Sequence, residues 1–106
     1  MRGGANITRH IRTQRQWEAQ ETRSFVYRTI RSICEMKAEH KVEPVVATER
    51  ELKEHFEEKH FKCLECLVRA GVAIKTRGIK YDLYTLNYAA FEAYDQKMRE
   101  LCSITA

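Results

Sequence analysis

The sequence predicts a single, mainly α-helical domain that carries one small antiparallel β-hairpin, in the order α-β-α-α-β-β-α. The apolar residues Leu64, Leu67 and Val68 have helical spacing, and Gly71 ends that helix. The residues that follow read as two strands, 72–75 and 79–86, joined by a turn at 76–78. Apolar stripes within residues 25–34 and 91–101 predict long helices on either side of this unit.

Length and composition place the chain among ordinary globular domains. It has 106 residues, of which 43% are hydrophobic and 32% are charged, so a modest core and a solvated surface are both expected. No apolar run approaches the roughly 20 residues that cross a bilayer, and no signal peptide is visible. We therefore expect a cytoplasmic chain with no membrane partner, whose four cysteines are reduced.

Positive charge is concentrated at the N-terminus. Residues 1–31 hold seven arginines against two glutamates, a balance of +5, whereas residues 32–106 hold 12 basic and 13 acidic residues, a balance of −1. We interpret residues 1–12 as a flexible basic arm and residues 13–106 as the domain. Arg9, Arg12 and Arg15 are then candidate contacts to a polyanion such as DNA. The alternative is a solubilising tail.

A long first helix is predicted from about Thr13 to about His40. Thr13 and Gln16 have the spacing of a capping box, and Trp17 is expected to anchor the helix by packing. The apolar stripe comprises Phe25, Val26, Ile30, Ile33 and Cys34, with Arg23, Arg28 and Arg31 pointing elsewhere. Pro44 disfavours helix, and the β-branched pair 45–46 predicts one short strand.

Two shorter helices follow. Thr48 and Glu51 form a strong capping-box pattern, so a second helix begins there, with Leu52 and Phe56 on its buried face. A turn is expected at 57–59, and the third helix occupies about residues 59–70.

In the hairpin, the alternation of residues predicts one face that holds Ile79, Tyr81, Leu83 and Thr85, and an opposite face that includes Tyr84. Asn87 is expected to cap a last helix that runs to about Cys102. Its stripe contains Phe91, Tyr94, Met98 and Leu101, and Asp95 with Arg99 forms an i,i+4 ion pair.

The segments ATERELKEHF, CLECLVRAGVAI and KTRGIKYDLYTL together resemble the winged helix-turn-helix superfamily over about residues 45–86. The resemblance implies a domain in which the third helix reads duplex DNA and the hairpin is the wing. The N- and C-terminal helices are additions to that unit. Some members of the superfamily bind proteins instead, so the resemblance alone does not fix the function.

The charged residues of the third helix and the wing are the candidate DNA contacts. On a helical projection Lys59, Lys62 and Arg69 lie opposite Leu64, where they are able to reach bases and phosphates. Lys75, Arg77 and Lys80 cluster around the hairpin turn, which suits contact with the DNA backbone. The simpler interpretations are a solvated helix face and lysines that protect a strand edge from aggregation.

The function expected from these patterns is that of a small DNA-binding protein, a transcriptional regulator. The alternative is a winged-helix protein-interaction module, which the near-neutral charge of residues 32–106 favours. The long terminal helices carry more apolar stripe than the central unit needs. They predict a homodimer interface through residues 20–40 and 88–102.

No enzyme, cofactor or metal site is expected. The histidines lack a nucleophile partner, and no glycine-rich phosphate loop is present. Cys63 and Cys66 form a Cys-x-x-Cys pattern, but inside a helix and without a second ligand pair. We interpret Cys63 as a packing residue and Cys66 as incidental, with thiol sensing as the alternative.

Overall fold

The structure, a computed structural model, describes the backbone of residues 14–105 and the side chains of residues 14–101. The predicted basic arm, including Arg9 and Arg12, and the predicted capping residue Thr13 lie outside the described residues. The elements in chain order are α1 (Gln14–Glu39), β1 (Ala47–Thr48), α2 (Glu49–Lys53), α3 (Glu58–Arg69), β2 (Ala73–Arg77), β3 (Asp82–Leu86) and α4 (Tyr88–Thr105). This confirms a mainly helical chain with a small antiparallel sheet in the predicted order.

The sheet has three strands in the order β1-β3-β2, with both pairs antiparallel. Ala47 lies opposite Tyr84 in the first pair, and Ala73 lies opposite Leu86 in the second. The short strand predicted at residues 45–46 is therefore wrong by two positions. Val45 is 39% exposed and precedes the sheet.

The hairpin turn also lies later than predicted. Thr76 and Arg77 belong to β2, and the loop occupies residues 78–81, where the Gly78 N–H donates to the Tyr81 carbonyl over 3.0 Å. Ile79 is fully exposed in that loop and not in a strand. The long apolar alternation from residue 79 onwards does not mark the strand start, because the ladder begins only at the Arg77–Asp82 pair.

The predicted faces of β3 are reversed. Tyr84 and Leu86 are buried, whereas Leu83 and Thr85 are half-buried on the outer face. Residues on both faces are apolar or aromatic, so a period of two does not decide between them. The buried face is the one that packs on the helices, together with Ala47 and Ala73.

The core lies where α1 crosses the sheet and α3. Val26, Ile30, Leu64 and Leu67 are almost fully buried, and each contributes about 1.5–3 kcal/mol through the hydrophobic effect. The predicted stripe of α1 is confirmed in this region. Arg23, however, was expected to point away and is buried, because it pairs with Asp95 of α4 at 3.3 Å.

The start of α2 is held by the predicted capping box. The Thr48 hydroxyl accepts from the Glu51 N–H over 3.1 Å, and the Glu51 carboxylate accepts from the Thr48 N–H over 2.9 Å. The same carboxylate accepts from Lys37 of α1 over 2.7 Å, which ties α2 to the long helix. Leu52 and Phe56 are buried as predicted.

The turn between α2 and α3 covers residues 54–57, so the turn predicted at 57–59 is wrong, and α3 already begins at Glu58. His60 defines this start. Its Nδ1 atom accepts from the Glu57 N–H over 2.9 Å, while its ring packs 4.7 Å from Phe25 of α1. A buried histidine thus takes the place of the usual serine or threonine cap.

Gly71 ends α3 in the way predicted. Its φ of 78° lies in the left-handed region that glycine adopts without strain. The Gly71 N–H donates to the Val68 carbonyl and the Val72 N–H donates to the Leu67 carbonyl, the two bonds of a Schellman motif. This motif turns the chain directly from α3 into β2.

The last helix, α4, begins at the predicted cap. The Asn87 side chain accepts from the Ala90 N–H over 3.1 Å. Phe91 of α4 stacks on Tyr27 of α1 with ring centroids 3.8 Å apart. Asp95 pairs with Arg99 at 2.8 Å, as predicted, in addition to Arg23.

Candidate nucleic-acid interface

The exposed face of α3 carries the three predicted cationic residues. Lys59, Lys62 and Arg69 are all exposed, whereas Leu64 and Leu67 face the core. Lys62 and Arg69 are seven residues apart, almost two full turns, so they lie on one stripe of the helix. This stripe is free to meet a ligand along about 15 Å between residues 59 and 69.

The hairpin presents its two strand cations on the same side as Tyr84. Ala73, Lys75 and Arg77 alternate along β2, and their cross-strand partners are Leu86, Tyr84 and Asp82. Because Ala73, Tyr84 and Leu86 are buried against the helices, Lys75 and Arg77 share the side of the hairpin that looks towards α3. Lys80 is exposed in the loop at the tip.

A cleft of about 340 Å³ separates α3 from the hairpin and brings the two groups together. Arg69 lines it from α3 and Lys75 lines it from β2. The apolar floor is formed by Phe61, Leu64, Val68 and Tyr84. The helix stripe and the hairpin thus border one continuous surface.

Carboxylates share this surface with the cations. Glu49, Glu65 and Asp82 line the same cleft as Arg69 and Lys75, so its formal charge is −1. Burial raises the pKa of Tyr84, and the negative charges of Asp82, Glu49 and Glu65 raise it further. The floor of the cleft therefore disfavours an anion, and phosphate contacts would be confined to its rims.

Two of the cations are also in ion pairs. The Lys62 Nζ lies 3.5 Å from Glu58, and the Lys75 Nζ lies 3.5 Å from Asp82. Both pairs are largely solvent-exposed, and such pairs contribute only about 0–1 kcal/mol. They do not prevent either lysine from reaching another anion.

The remaining predicted residues lie apart from this cleft. Lys59 borders a different cleft with Glu18, Glu21 and Arg28 of α1. Arg15 is exposed in the first turn of α1. The structure thus brings Lys62, Arg69, Lys75 and Arg77 to one side of the fold through α3 and β2, with Lys59 at the far end of α3.

The two cysteines of α3 differ in environment. Burial raises the pKa of Cys63 to about 11, with a smaller contribution from Cys66, so Cys63 is a protonated thiol at neutral pH. It packs at the edge of the core, as predicted. Cys66 is exposed, and Arg69 donates to its sulfur over 3.4 Å. Within residues 14–101 no group of three or more His, Cys, Asp or Glu side chains is placed to hold a metal ion.

Sequence reasoning missed the acidic side of the cleft. Glu49, Glu65 and Asp82 come from α2, α3 and β3, and only the tertiary fold brings them around Tyr84. One signal was available for Asp82, since a correct hairpin register places it across from Arg77 and diagonal to Lys75.

Comparisons with known proteins add no family assignment. No protein-family model matches the chain, and no curated protein or solved structure is significantly similar to it. In the part of the chain that the structure describes, no helix combines the length and the apolar character that a bilayer span requires.

Proposed function

We propose that this chain is a small DNA-binding protein of the winged-helix type that acts as a transcriptional regulator. In this proposal α3 lies in the major groove, and the hairpin contacts the sugar–phosphate backbone. Arg9, Arg12 and Arg15 would add contacts from the N-terminal side.

The observation that supports the proposal most strongly is the shared surface of α3 and the hairpin. Arg69 and Lys75 line one cleft, Lys62 continues the helix stripe, and Arg77 continues the strand face. A helix about 15 Å long with exposed cations fits a major groove that is about 12 Å wide. The order of α2, a short turn, α3 and then a hairpin agrees with the resemblance seen in the sequence.

Base reading in this proposal falls to the middle of α3. Lys62 and Arg69 are able to donate to guanine O6 and N7, and Glu65 is able to accept from the amino group of cytosine. Lys75, Arg77 and Lys80 would bind phosphates and add affinity without sequence preference. The acidic floor of the cleft would keep the phosphate backbone on the rims, where these cations lie.

A protein-interaction module is the second candidate, and the acidic cleft favours it. Three carboxylates and two cations over an apolar floor would suit a partner segment that carries both apolar and basic side chains. The near-neutral charge of residues 32–106 favours the same candidate.

Mobility-shift assays separate the two candidates. The full chain is titrated into random-sequence duplexes at low salt, and tight binders are then selected from a random pool. The proposal predicts binding to the random duplexes and enrichment of a preferred sequence. Failure to bind any duplex at low salt would contradict DNA binding and favour the protein-interaction module.

A further inference from the structure

We propose that a second copy of this chain packs on the helical extension, which we define as residues 14–22 of α1 and 96–101 of α4. The two extensions would form a four-helix bundle in which α1 of each copy lies beside α4 of the other. This narrows the dimer surface from whole helices to their ends. Only its consequence, two α3 helices on a two-fold DNA site, rests on the proposed function.

The helical extension follows from the way α1 and α4 pair. Tyr27 stacks on Phe91 at 3.8 Å, and Arg23 binds Asp95 at 3.3 Å, so the residue number falls along α1 as it rises along α4. The helices are therefore antiparallel. Their contact residues repeat at three- and four-residue steps, the seam pattern of paired helices: Trp17, Gln20, Ser24 and Tyr27 on α1, and Phe91, Asp95 and Met98 on α4.

The burial of side chains stops where the extension begins. Arg23 is the first buried residue of α1, and Asp95 is the last buried residue of α4 up to residue 101. Within 14–22 and 96–101 no side chain is buried, while Trp17 is 49% and Leu101 is 47% exposed. Helices of this kind gain most of their stability from tertiary packing, which the chain alone gives the extension on one side only.

An open trough runs along the two helices. It has a volume of about 380 Å³ and is lined by aromatic residues, Trp17, Tyr27 and Phe91, and by arginines, Arg28 and Arg99. A second trough of about 280 Å³ shares Tyr27, Phe91 and Arg99 with it and continues along α4. Tryptophan, tyrosine and arginine are the residues most enriched at the energetic centre of protein interfaces.

The charges of the extension are self-complementary, which selects a second copy as the occupant. Its α1 part carries Glu18 and Glu21, and its α4 part carries Lys97 and Arg99. The antiparallel register set by Arg23–Asp95 and Tyr27–Phe91 continues to place Glu21 level with Lys97. A two-fold axis parallel to the helices keeps these levels, so Glu21 faces Lys97 of the partner subunit, and the contact occurs twice.

The test measures the mass of the full chain in solution, without DNA, by sedimentation equilibrium. The proposal predicts twice the monomer mass of 12.5 kDa. Glu21→Lys and Lys97→Glu should each weaken dimerisation by about tenfold or more, because each creates two like-charge contacts. Leu101→Glu should do the same, whereas Met36→Glu, at an equally exposed site at the other end of α1, should have no effect.

Mixing the two charge variants gives the decisive result. Equimolar Glu21→Lys and Lys97→Glu chains should form a heterodimer, since each contact then joins opposite charges again. A repulsion inside one chain would not be relieved by mixing. A wild-type chain that stays monomeric, or charge variants that fold normally by circular dichroism yet are not rescued by mixing, would overturn the proposal. Since no DNA is present, either result leaves the proposed DNA binding to be judged by its own assay.

Discussion

The Nζ atom of Lys75 lies 3.5 Å from a carboxylate oxygen of Asp82, diagonally across the two strands of the hairpin. This carboxylate competes with any phosphate for the lysine. We therefore expect Asp82→Asn to raise the affinity for duplex DNA by about three- to fivefold at low salt, the effect of releasing one exposed ion pair. Glu92→Gln on α4 changes the net charge equally and is the control. Equal effects of the two variants, measured by mobility shift, would contradict a specific role of the hairpin.

The stripe of α3 should determine which sequence is preferred. Replacing Lys62 and Arg69 by alanine should remove about 1–3 kcal/mol per lost base contact from the selected duplex and much less from random duplexes. The preferred bases should change as well, as read by repeated selection. Lys41→Ala, at an exposed loop position, is the matched loss of charge. An unchanged preference in the double variant would remove α3 from base reading.

The contact of Lys37 with Glu51 makes stability depend on pH. Partial burial alone would raise the pKa of Glu51, but hydrogen bonds from Lys37 and Thr48 outweigh it and lower the pKa. Since the folded pKa lies below the unfolded one, the stabilisation is fully present above the unfolded value of about 4.3 and is lost as the pH falls through the folded pKa.

Glu51→Gln should therefore lower the free energy of unfolding at pH 7, and the difference from wild type should shrink in acid, below about pH 4. Urea denaturation at a series of pH values measures this. Glu35→Gln, which disrupts only an exposed i,i+4 pair with Arg31, is the control and should change the curve little. A Glu51→Gln deficit that stays constant down to acid would show that the carboxylate charge is not its cause.

Asp95 holds two arginines, one of them buried, and its removal should be costly. Asp95→Ala leaves the buried Arg23 guanidinium without its carboxylate, and we expect a loss of about 3–5 kcal/mol in the free energy of unfolding. The double variant Arg23→Met, Asp95→Leu should recover much of that loss, because no unpaired charge then remains. A double variant as unstable as the sum of its single variants would indicate that the ion pair itself stabilises the fold.

Local signals were sufficient to predict the order of the elements. The Thr48–Glu51 capping box, the glycine after α3 and the Asn87 cap each depend on residues within a few positions, and all three are confirmed. The exposure of Lys62 and Arg69 followed from helical periodicity for the same reason. These features are set by local geometry, which sequence spacing reports directly.

The failures share the opposite property. The buried position of Arg23 depends on Asp95, which is 72 residues away in the chain. The faces of β3 depend on which residues meet α1 and α3, since Tyr81, Leu83 and Tyr84 all suit a buried position. The acidic residues of the cleft come from three elements. No periodicity within one element reports these long-range contacts.

The central claim is that the hairpin cations bind phosphate beside α3, and the salt dependence of binding tests it most directly. The observed affinity for a duplex is measured by mobility shift over a series of salt concentrations, for wild type and for a variant with Lys75, Arg77 and Lys80 changed to alanine. If all three residues neutralise phosphates, the slope of log affinity against log salt should become shallower by about 2.7, at about 0.9 per contact. An unchanged slope in a variant that folds normally would contradict the account.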